Sequence, residues 1–128
     1  MTTVRDLLFS KGSQVWSIGP ETSVLGALEM MAEKNVGALI VLQNEKLVGI
    51  ISERDFARAI AKIGQCLIEA PVNDFMTKEV FTVGLAATTD ECMSLMSAKK
   101  IRHLPVIADD KLVGLISIGD VVKEVISI

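Results

Sequence analysis

The sequence has few of the residues that usually build catalytic or metal centres. It contains no tyrosine, one tryptophan, four phenylalanines, one histidine and two cysteines among 128 residues. Half of the residues are nevertheless hydrophobic, so valine, isoleucine, leucine, alanine and methionine must fill the interior. A chain of this length is sufficient for one domain with a core of ordinary size.

Long hydrophobic runs are also missing, although the mean hydropathy is positive. The longest apolar runs, residues 36–42 and 47–51, are far shorter than the roughly 20 residues that span a bilayer. Such short runs are typical of strands buried on both faces. The first residues show no basic region followed by an apolar run and a cleavage site. We therefore expect a cytoplasmic protein with no membrane partner.

The cysteines and basic residues are too few or too scattered for several other functions. Cys66 and Cys92 form no CxxC pair, and no histidine lies at metal-ligand spacing from them, so we expect neither a metal site nor a disulfide. The net charge of −3 gives no general attraction for nucleic acid. The one basic cluster, residues 99–103, is typical of the solvated C-terminal end of a helix.

The dominant feature that is present is an internal repeat. Shifting the sequence by 65 positions aligns residues 15–63 with residues 80–128 without a gap. The strongest match places the segment KLVGIIS at 46–52 over KLVGLIS at 111–117. Repeats of this kind indicate one supersecondary unit used twice.

Each repeat predicts the order β-α-β-β-α from its alternation of apolar runs, helical spacing and polar turns. In the first repeat these elements are a strand at 15–18, a helix capped by Thr22 or Ser23, strands at 37–42 and 47–51, and a helix at 53–63. In the second they are a strand at 80–83, a helix at 89–100, strands at 104–107 and 112–116, and a helix at 119–126.

We therefore predict an α/β fold of two pseudo-symmetric units in a single module of residues 1–128. The units are expected at 10–65 and 75–128, with residues 1–9 and 66–74 as a lead-in helix and linker. A unit of about fifty residues has a marginal core when alone, so the two should pack together. Any cleft made between the copies should then occur twice.

The most informative local pattern is Ser-x-x-Asp directly after a buried strand, at Ser52–Asp55 and Ser117–Asp120. One interpretation is helix capping, although the capping box prefers Glu or Gln at its last position. The other is ligand binding, because a helix N-terminus attracts phosphate and an aspartate can accept both hydrogens of a ribose diol. The two interpretations are compatible, and both remain open at this point.

The two patterns differ between the serine and the aspartate. Arg54 would add a cation near a phosphate, whereas the aligned Gly119 would let a ligand approach the backbone. The lone His103 is either a polar group at the start of a strand or a phosphate or base contact. The sequence lacks glycine-rich phosphate loops, HExxH and GxSxG, and no nucleophile–base pair is visible. We therefore expect no enzymatic activity.

These features together resemble a tandem pair of cystathionine β-synthase (CBS) domains, the Bateman module, as found in stand-alone CBS-domain proteins. The resemblance is carried by the repeat, by residues 48–55 and 113–120, and by the segments RHLPV at 102–106 and DFMT at 74–77. It implies two units packed through their sheets, with two clefts between them. It also implies AMP, ADP, ATP, NAD(H) or S-adenosylmethionine as ligands, and a homodimer.

The resemblance assigns a set of residues to each cleft. The first set is Ser117, Gly119 and Asp120 for phosphate and ribose, Trp16, Val36, Gly37 and Ala38 beside adenine, and His103 and Lys11 near phosphate. The second set is Ser52, Arg54 and Asp55, with Thr77, Phe81, Ile101 and Arg102 at the base end. Trp16 and Phe81 have a core role as the alternative. The aligned pair Ile40 and Pro105 marks a departure of the first repeat from the common pattern.

The expected function is that of an adenine-nucleotide sensor that regulates a separate partner protein. AMP, ADP or ATP is the first choice of ligand, NAD(H) the second and S-adenosylmethionine the third, because Arg54 and His103 favour a phosphate. The alternative is a ligand-free dimerisation module in which Ser-x-x-Asp only caps helices.

Overall fold

The computed structural model describes residues 1–64 and 67–126, apart from the side chain of residue 125. The elements are α1 Val4–Lys11, β1 Ser17–Ile18, α2 Val24–Lys34, β2 Ala38–Gln43, β3 Lys46–Ser52, α3 Glu53–Ile63, a 3-10 turn at Val72–Asp74, α4 Thr89–Lys99, β4 His103–Ala108, β5 Lys111–Ser117 and α5 Ile118–Ile126. The predicted mixed fold with small sheets and repeated helices is confirmed.

The chain forms two compact units whose composition differs from that of the two repeats. One consists of residues 16–80 and is called here the 16–80 unit. The other combines residues 1–15 with residues 81–128 and is called the composite unit. Each repeat is therefore completed by the segment that leads into the other repeat: α1 packs in the composite unit, and the 3-10 turn packs in the 16–80 unit.

In the 16–80 unit a three-stranded sheet has the order β1-β2-β3. β1 runs parallel to β2, and β2 pairs antiparallel with β3. The hairpin turn has φ values of 52° at Asn44 and 66° at Glu45, as required for the type I′ turns that match strand twist. Its core includes Val24 and Met31 of α2, Phe56 of α3, and Val72.

The composite unit has the two-stranded sheet β4-β5. Its turn, Asp109 and Asp110, repeats the type I′ geometry with φ values of 51° and 62°. Its core joins residues from α1, α4, β4, β5 and α5: Val4, Leu7, Leu8, Cys92, Met96, Leu104, Val106, Ile116 and Val121.

The prediction of a full strand at 80–83 is wrong. In this segment the structure shows only a single parallel bridge, between Val83 and Val106. In the 16–80 unit the backbone N–H of Ile40 donates to the carbonyl of Trp16 at 3.2 Å. The aligned residue is Pro105, which has no N–H to donate. The missing hydrogen bond explains why β1 has no full counterpart.

Two aligned glycines allow the lead-in segments to approach the hairpins closely. A Cβ added to Gly114 would lie 2.6 Å from Cδ2 of Leu8, and one added to Gly49 would lie 2.6 Å from Sδ of Met76. Real Cβ atoms essentially never show such distances. A Cβ at either position would therefore displace a neighbouring side chain, which is the branched Leu8 at Gly114 and the flexible Met76 at Gly49.

Candidate functional site

The Ser52 pattern lies where β3 passes directly into α3. The backbone N–H of Ser52 donates to Oδ2 of Asp55 at 2.8 Å, and the N–H of Asp55 donates to Oγ of Ser52 at 3.3 Å. This reciprocal arrangement is a capping box, so the capping interpretation is confirmed for this repeat. The ligand interpretation stays a prediction beside it.

Thr77 joins this pair from the segment that leads into the second repeat. Its backbone exchanges two hydrogen bonds with Ile50, at 3.0 and 2.9 Å. Its hydroxyl donates to Oδ1 of Asp55 at 3.5 Å. Three residues of the second predicted set, Ser52, Asp55 and Thr77, are thus brought together inside one unit. Arg54 is exposed on the first turn of α3, and its guanidinium has no partner among the described residues.

The Ser117 pattern repeats the capping geometry at the start of α5. The N–H of Ser117 donates to Oδ2 of Asp120 at 2.8 Å, and the N–H of Asp120 donates to Oγ of Ser117 at 3.1 Å. Within residues 1–64 and 67–126, Oδ1 of Asp120 accepts no hydrogen bond. Gly119 is exposed, and an added Cβ there would make only an ordinary contact, at 3.6 Å from Oγ of Ser117.

Lys11 completes this second group from the end of α1. Its Nζ lies 2.6 Å from Oδ2 of Asp120 and donates to the carbonyl of Leu115 at 2.9 Å. Burial alone would raise the pKa of Asp120. The hydrogen bond and charge of Lys11, with the hydrogen bonds of Ser117, outweigh burial and hold that pKa below its ordinary value of 3.8. The ion pair therefore persists at neutral pH.

The other predicted residues of the composite unit lie at the entry of β4. His103 is half-buried and stands opposite Ser117 in the β4-β5 register. Arg102 is exposed, and its carbonyl accepts the N–H of Ile118 at 2.8 Å. Ile101 packs against the core of this unit.

Trp16 and Phe81 occupy aligned places in the two units, and each packs against the core of its own unit. Nζ of Lys34 lies 4.4 Å from the centroid of the Trp16 ring, and Nζ of Lys99 lies 5.0 Å from that of Phe81. These distances fit cation–π interactions. The core role, held open as the alternative, is thus present in both units. The sequence analysis did not predict these two contacts between a lysine and an aromatic ring, although Lys34 and Lys99 are identical in the repeat alignment.

Val36, Gly37 and Ala38 lie before and at the start of β2. Ala38 is buried, whereas Val36 and Gly37 line a cavity of about 310 Å³ whose other walls are residues of α2 and Glu53. The sequence analysis did not single out Glu53 or the cavity. The signal that could have found them is the replacement of Gly37 by Arg102 and of Glu53 by Ile118 in the repeat alignment.

Each predicted set also contains residues of the other unit. Trp16, Val36 and Ala38 belong to the 16–80 unit, and Phe81, Ile101 and Arg102 belong to the composite unit. What each unit brings together by itself is Ser52, Asp55 and Thr77 in one case and Lys11, Ser117 and Asp120 in the other. The assignment of the complete sets stays a prediction.

The described part of the chain contains no group of three histidine, cysteine or acidic side chains that could hold a metal ion. Cys92 is buried and free, and burial followed by the charge of Glu91 raises the pKa of its thiol. Cys66 lies outside the described residues. None of the described helices has the length and apolar character needed to cross a bilayer.

Both repeats match the family model described as CBS domain, over residues 3–62 and 72–127. The chain belongs to the CBS-domain family. The resemblance found in the sequence is confirmed. The chain is 39% identical to a CBS domain-containing protein of Arabidopsis thaliana named CBSX3, mitochondrial; the match covers 98% of this chain and 65% of that relative.

Solved structures of CBS domains share the fold over nearly the whole chain. A crystal structure of a CBS domain is 46% identical, with a TM-score of 0.93 and coverage of 98% of each chain. A second structure is a CBS domain pair in complex with 5′-methylthioadenosine and S-adenosyl-L-methionine. It is 25% identical, has a TM-score of 0.85, and is matched over 97% of this chain and 99% of that one.

Proposed function

We propose that this CBS-domain pair is a regulatory sensor that binds an adenine nucleotide through its two Ser-x-x-Asp boxes and acts on a separate partner protein. AMP, ADP or ATP is the first choice of ligand, NAD(H) the second and S-adenosylmethionine the third. The observation that carries the proposal is the repetition of one arrangement: serine, aspartate and a helix N-terminus directly after the second strand of each hairpin. A cation lies in or beside each box.

The chemistry of the boxes suits the ribose and phosphate parts of a nucleotide. An ionised aspartate accepts hydrogen bonds only, and Oδ1 of Asp120 has acceptor capacity beyond the capping box. The first N–H groups of a helix and its dipole favour phosphate. Lys11 beside Asp120 and the exposed Arg54 beside Asp55 supply cations for charge-assisted bonds. These cations favour a nucleotide over an uncharged nucleoside.

The comparison with the liganded CBS domain pair supports the adenosine part of the proposal. The two small molecules in that complex, 5′-methylthioadenosine and S-adenosyl-L-methionine, share an adenosine group and carry no phosphate. We therefore base the preference for a phosphate on Lys11 and Arg54 of this chain. We propose no catalytic role. Unchanged nucleotide after long incubation with protein and Mg²⁺ is the expected result, and hydrolysis measured by chromatography would contradict it.

Native mass spectrometry of freshly purified protein, followed by calorimetry with each nucleotide, tests the proposal. We expect Asp120→Ala to weaken AMP binding by more than about 1 kcal/mol, the scale of a hydrogen bond to a charged group. Glu91→Ala is the matched control, because Glu91 completes a capping box of α4 with Thr88. It should lower stability similarly and leave binding intact. Absence of binding by all candidate ligands at sub-millimolar concentration would reject the proposal.

The exposed apolar residues of two helices favour a second candidate, a homodimeric interaction module. α3 exposes Ile60 and Ile63, and α5 exposes Ile118, Val122 and Ile126. Unpartnered apolar residues grouped on helices often mark protein interfaces. Analytical ultracentrifugation should detect a dimer that Ile63→Glu weakens, with the exposed Lys62→Glu as the control. A dimer together with no nucleotide binding would favour this candidate as the whole function.

A further inference from the structure

The ion pair between Lys11 and Asp120 occupies part of the carboxylate that the proposed function assigns to a ribose. Oδ2 of Asp120 accepts the N–H of Ser117 at 2.8 Å and the ammonium group of Lys11 at 2.6 Å. A carboxylate offers about two acceptor sites on each oxygen, so these two donors use the capacity of Oδ2. A diol that donates one hydrogen to each oxygen therefore cannot bind while Lys11 stays in place.

Lys11 also weakens the attraction of Asp120 for hydroxyl groups. Hydrogen bonds to an ionised acceptor are roughly twice as strong as neutral ones, and an ammonium group at 2.6 Å offsets the charge that makes them strong. The two side chains are only 35% and 23% exposed, so salt screens this pair less than a fully exposed one. Even Oδ1, which accepts no hydrogen bond among residues 1–64 and 67–126, is thus a weaker acceptor than in an unpaired aspartate.

The position of Lys11 allows its side chain to leave Asp120 without a change in the fold. Lys11 is the last residue of α1, and Gly12, with φ 96°, ends the helix directly after it. Its other contact is with a backbone carbonyl, that of Leu115, at 2.9 Å. A lysine ammonium is a point charge with three donors on a flexible four-carbon stem. It can therefore exchange the carboxylate for another anion by rotation of its own side chain.

The Ser-x-x-Asp box of the 16–80 unit has no comparable competitor. Asp55 receives the hydroxyl of Thr77 at 3.5 Å, and it forms no ion pair with any other residue that the structure describes. A hydroxyl is neutral and can rotate to donate elsewhere, so the charge of Asp55 remains available to a ribose. The two boxes should therefore differ in the ribose-containing ligands that they accept.

We infer that Lys11 is an internal competitor for the carboxylate of Asp120 and makes this box discriminate against nucleosides that carry no phosphate. A nucleoside must break the ion pair and offers Lys11 no anion in return. A nucleotide breaks the same pair but supplies its phosphate as a new partner for the ammonium group. The inference rests on the proposed nucleotide-binding function and adds that Lys11 opposes one class of ligand.

Adenosine and AMP test the inference because they differ only in the phosphate. Protein labelled with ¹⁵N-glycine reports binding through the amide resonance of Gly119, which lies between Ser117 and Asp120 and is assigned with Gly119→Ala. We expect Lys11→Met to tighten adenosine binding about two- to threefold, the scale of one partly exposed ion pair. The same variant should weaken AMP binding about tenfold, the lower end for a hydrogen bond to a charged group.

Three comparisons keep the test specific. The ligand 2′,3′-dideoxyadenosine has no diol, so Lys11→Met should not tighten its binding. Lys11→Arg keeps a cation that can pair with Asp120, and it should show little of the gain in adenosine binding. Lys62→Met removes an exposed lysine of α3 and changes the net charge by the same amount as Lys11→Met. It should leave adenosine binding unchanged.

The inference is overturned if Lys11→Met leaves adenosine binding unchanged, if dideoxyadenosine gains as much as adenosine, or if AMP binding tightens as well. In each of these cases AMP binding by the wild-type protein still supports the proposed function. If AMP does not shift the Gly119 resonance of the wild-type protein, nucleotide binding by the Asp120 box fails and the inference fails with it.

Discussion

The two units are built from aligned sequences, yet their aligned aspartates, Asp55 and Asp120, have different partners. In the 16–80 unit, Asp55 receives the neutral hydroxyl of Thr77 at 3.5 Å. In the composite unit, Asp120 receives the ammonium group of Lys11 at 2.6 Å. Both partners come from a segment that leads into the other repeat. Both repeats therefore contain the same serine–aspartate hydrogen bonds, whereas the segment that leads into the other repeat determines whether the aspartate is beside a charged or a neutral group.

The largest difference that we expect concerns the two glycines beneath the lead-in segments. Gly114→Ala should lower the free energy of unfolding by about 3 kcal/mol, the upper end for overpacking, because Leu8 is branched and buried. Gly49→Ala should cost about 1 kcal/mol, since the flexible Met76 can move aside. Urea unfolding measures both.

The control for these variants is Gly84→Ala, whose added Cβ would meet its nearest atom only at 4.0 Å and should change little. If steric overlap causes the loss, Gly114→Ala should cost less stability in a Leu8→Ala background than in the wild-type protein. Equal costs at Gly49 and Gly114 would mean that the two lead-in segments are equally adaptable.

The next difference is the hydrogen bond that Pro105 cannot make. Ile40→Pro should remove the bond from Ile40 to the carbonyl of Trp16 and also shorten a fully buried side chain. We expect a loss of about 2 kcal/mol, which combines the hydrogen bond with the lost burial. Ile40→Val keeps the N–H and should cost about 1 kcal/mol. Equal losses for the two variants, measured by urea unfolding, would show that this bond contributes nothing.

The α-helices and hairpins could be predicted closely from sequence because their determinants are local. The helix expected at 53–63 is observed as Glu53–Ile63, where Ser52 caps one end and Gly64, with φ 73°, the other. The strand expected at 80–83 failed because its pairing depends on Pro105, a residue distant in sequence. Periodicity describes the strand itself and contains no information about its partner.

The candidate site shows the same division between local and distant determinants. Both capping boxes follow from four consecutive residues and were visible as a pattern. The cavity depends on Gly37 and Glu53, which are brought together by the pairing of β2 with β3, where Ala38 lies opposite Ser52 and the N–H of Glu53 donates to the carbonyl of Gly37. The family resemblance grouped Lys11 with Asp120, and the structure supplies the contact that no local pattern could have indicated.

The Lys11–Asp120 ion pair predicts a difference in pH dependence. At neutral pH, Lys11→Met should cost roughly 0.5 kcal/mol, a low value because the Lys11 side chain is 35% exposed. The pKa of Asp120 is lowered in the folded state, so its contribution is present above the ordinary value and lost as pH falls through the lowered pKa.

Thermal unfolding of wild type and Lys11→Met between pH 7 and pH 2 measures this effect. The difference in stability should begin to shrink near pH 4, the ordinary pKa of an aspartate, and should vanish once the pH lies below the lowered pKa of Asp120. Lys62→Met, which removes an exposed lysine of α3, is the control and should show no such convergence. A constant difference across the pH range would mean that Lys11 stabilises the fold by packing alone.

The smallest expected effect concerns the residues that end α2 and α4. Both adopt the left-handed conformation, with φ 55° at Asn35 and φ 57° at Lys100. Asparagine tolerates this conformation better than lysine, because its short polar side chain bonds locally. Lys100→Asn should therefore raise the free energy of unfolding by about 0.5 kcal/mol, and Asn35→Lys should lower it by a similar amount. Both follow from denaturant midpoints at unchanged slope. If the two exchanges had the same sign, contacts of the side chains rather than backbone conformation would govern these helix ends, and the aligned positions would no longer be physically equivalent.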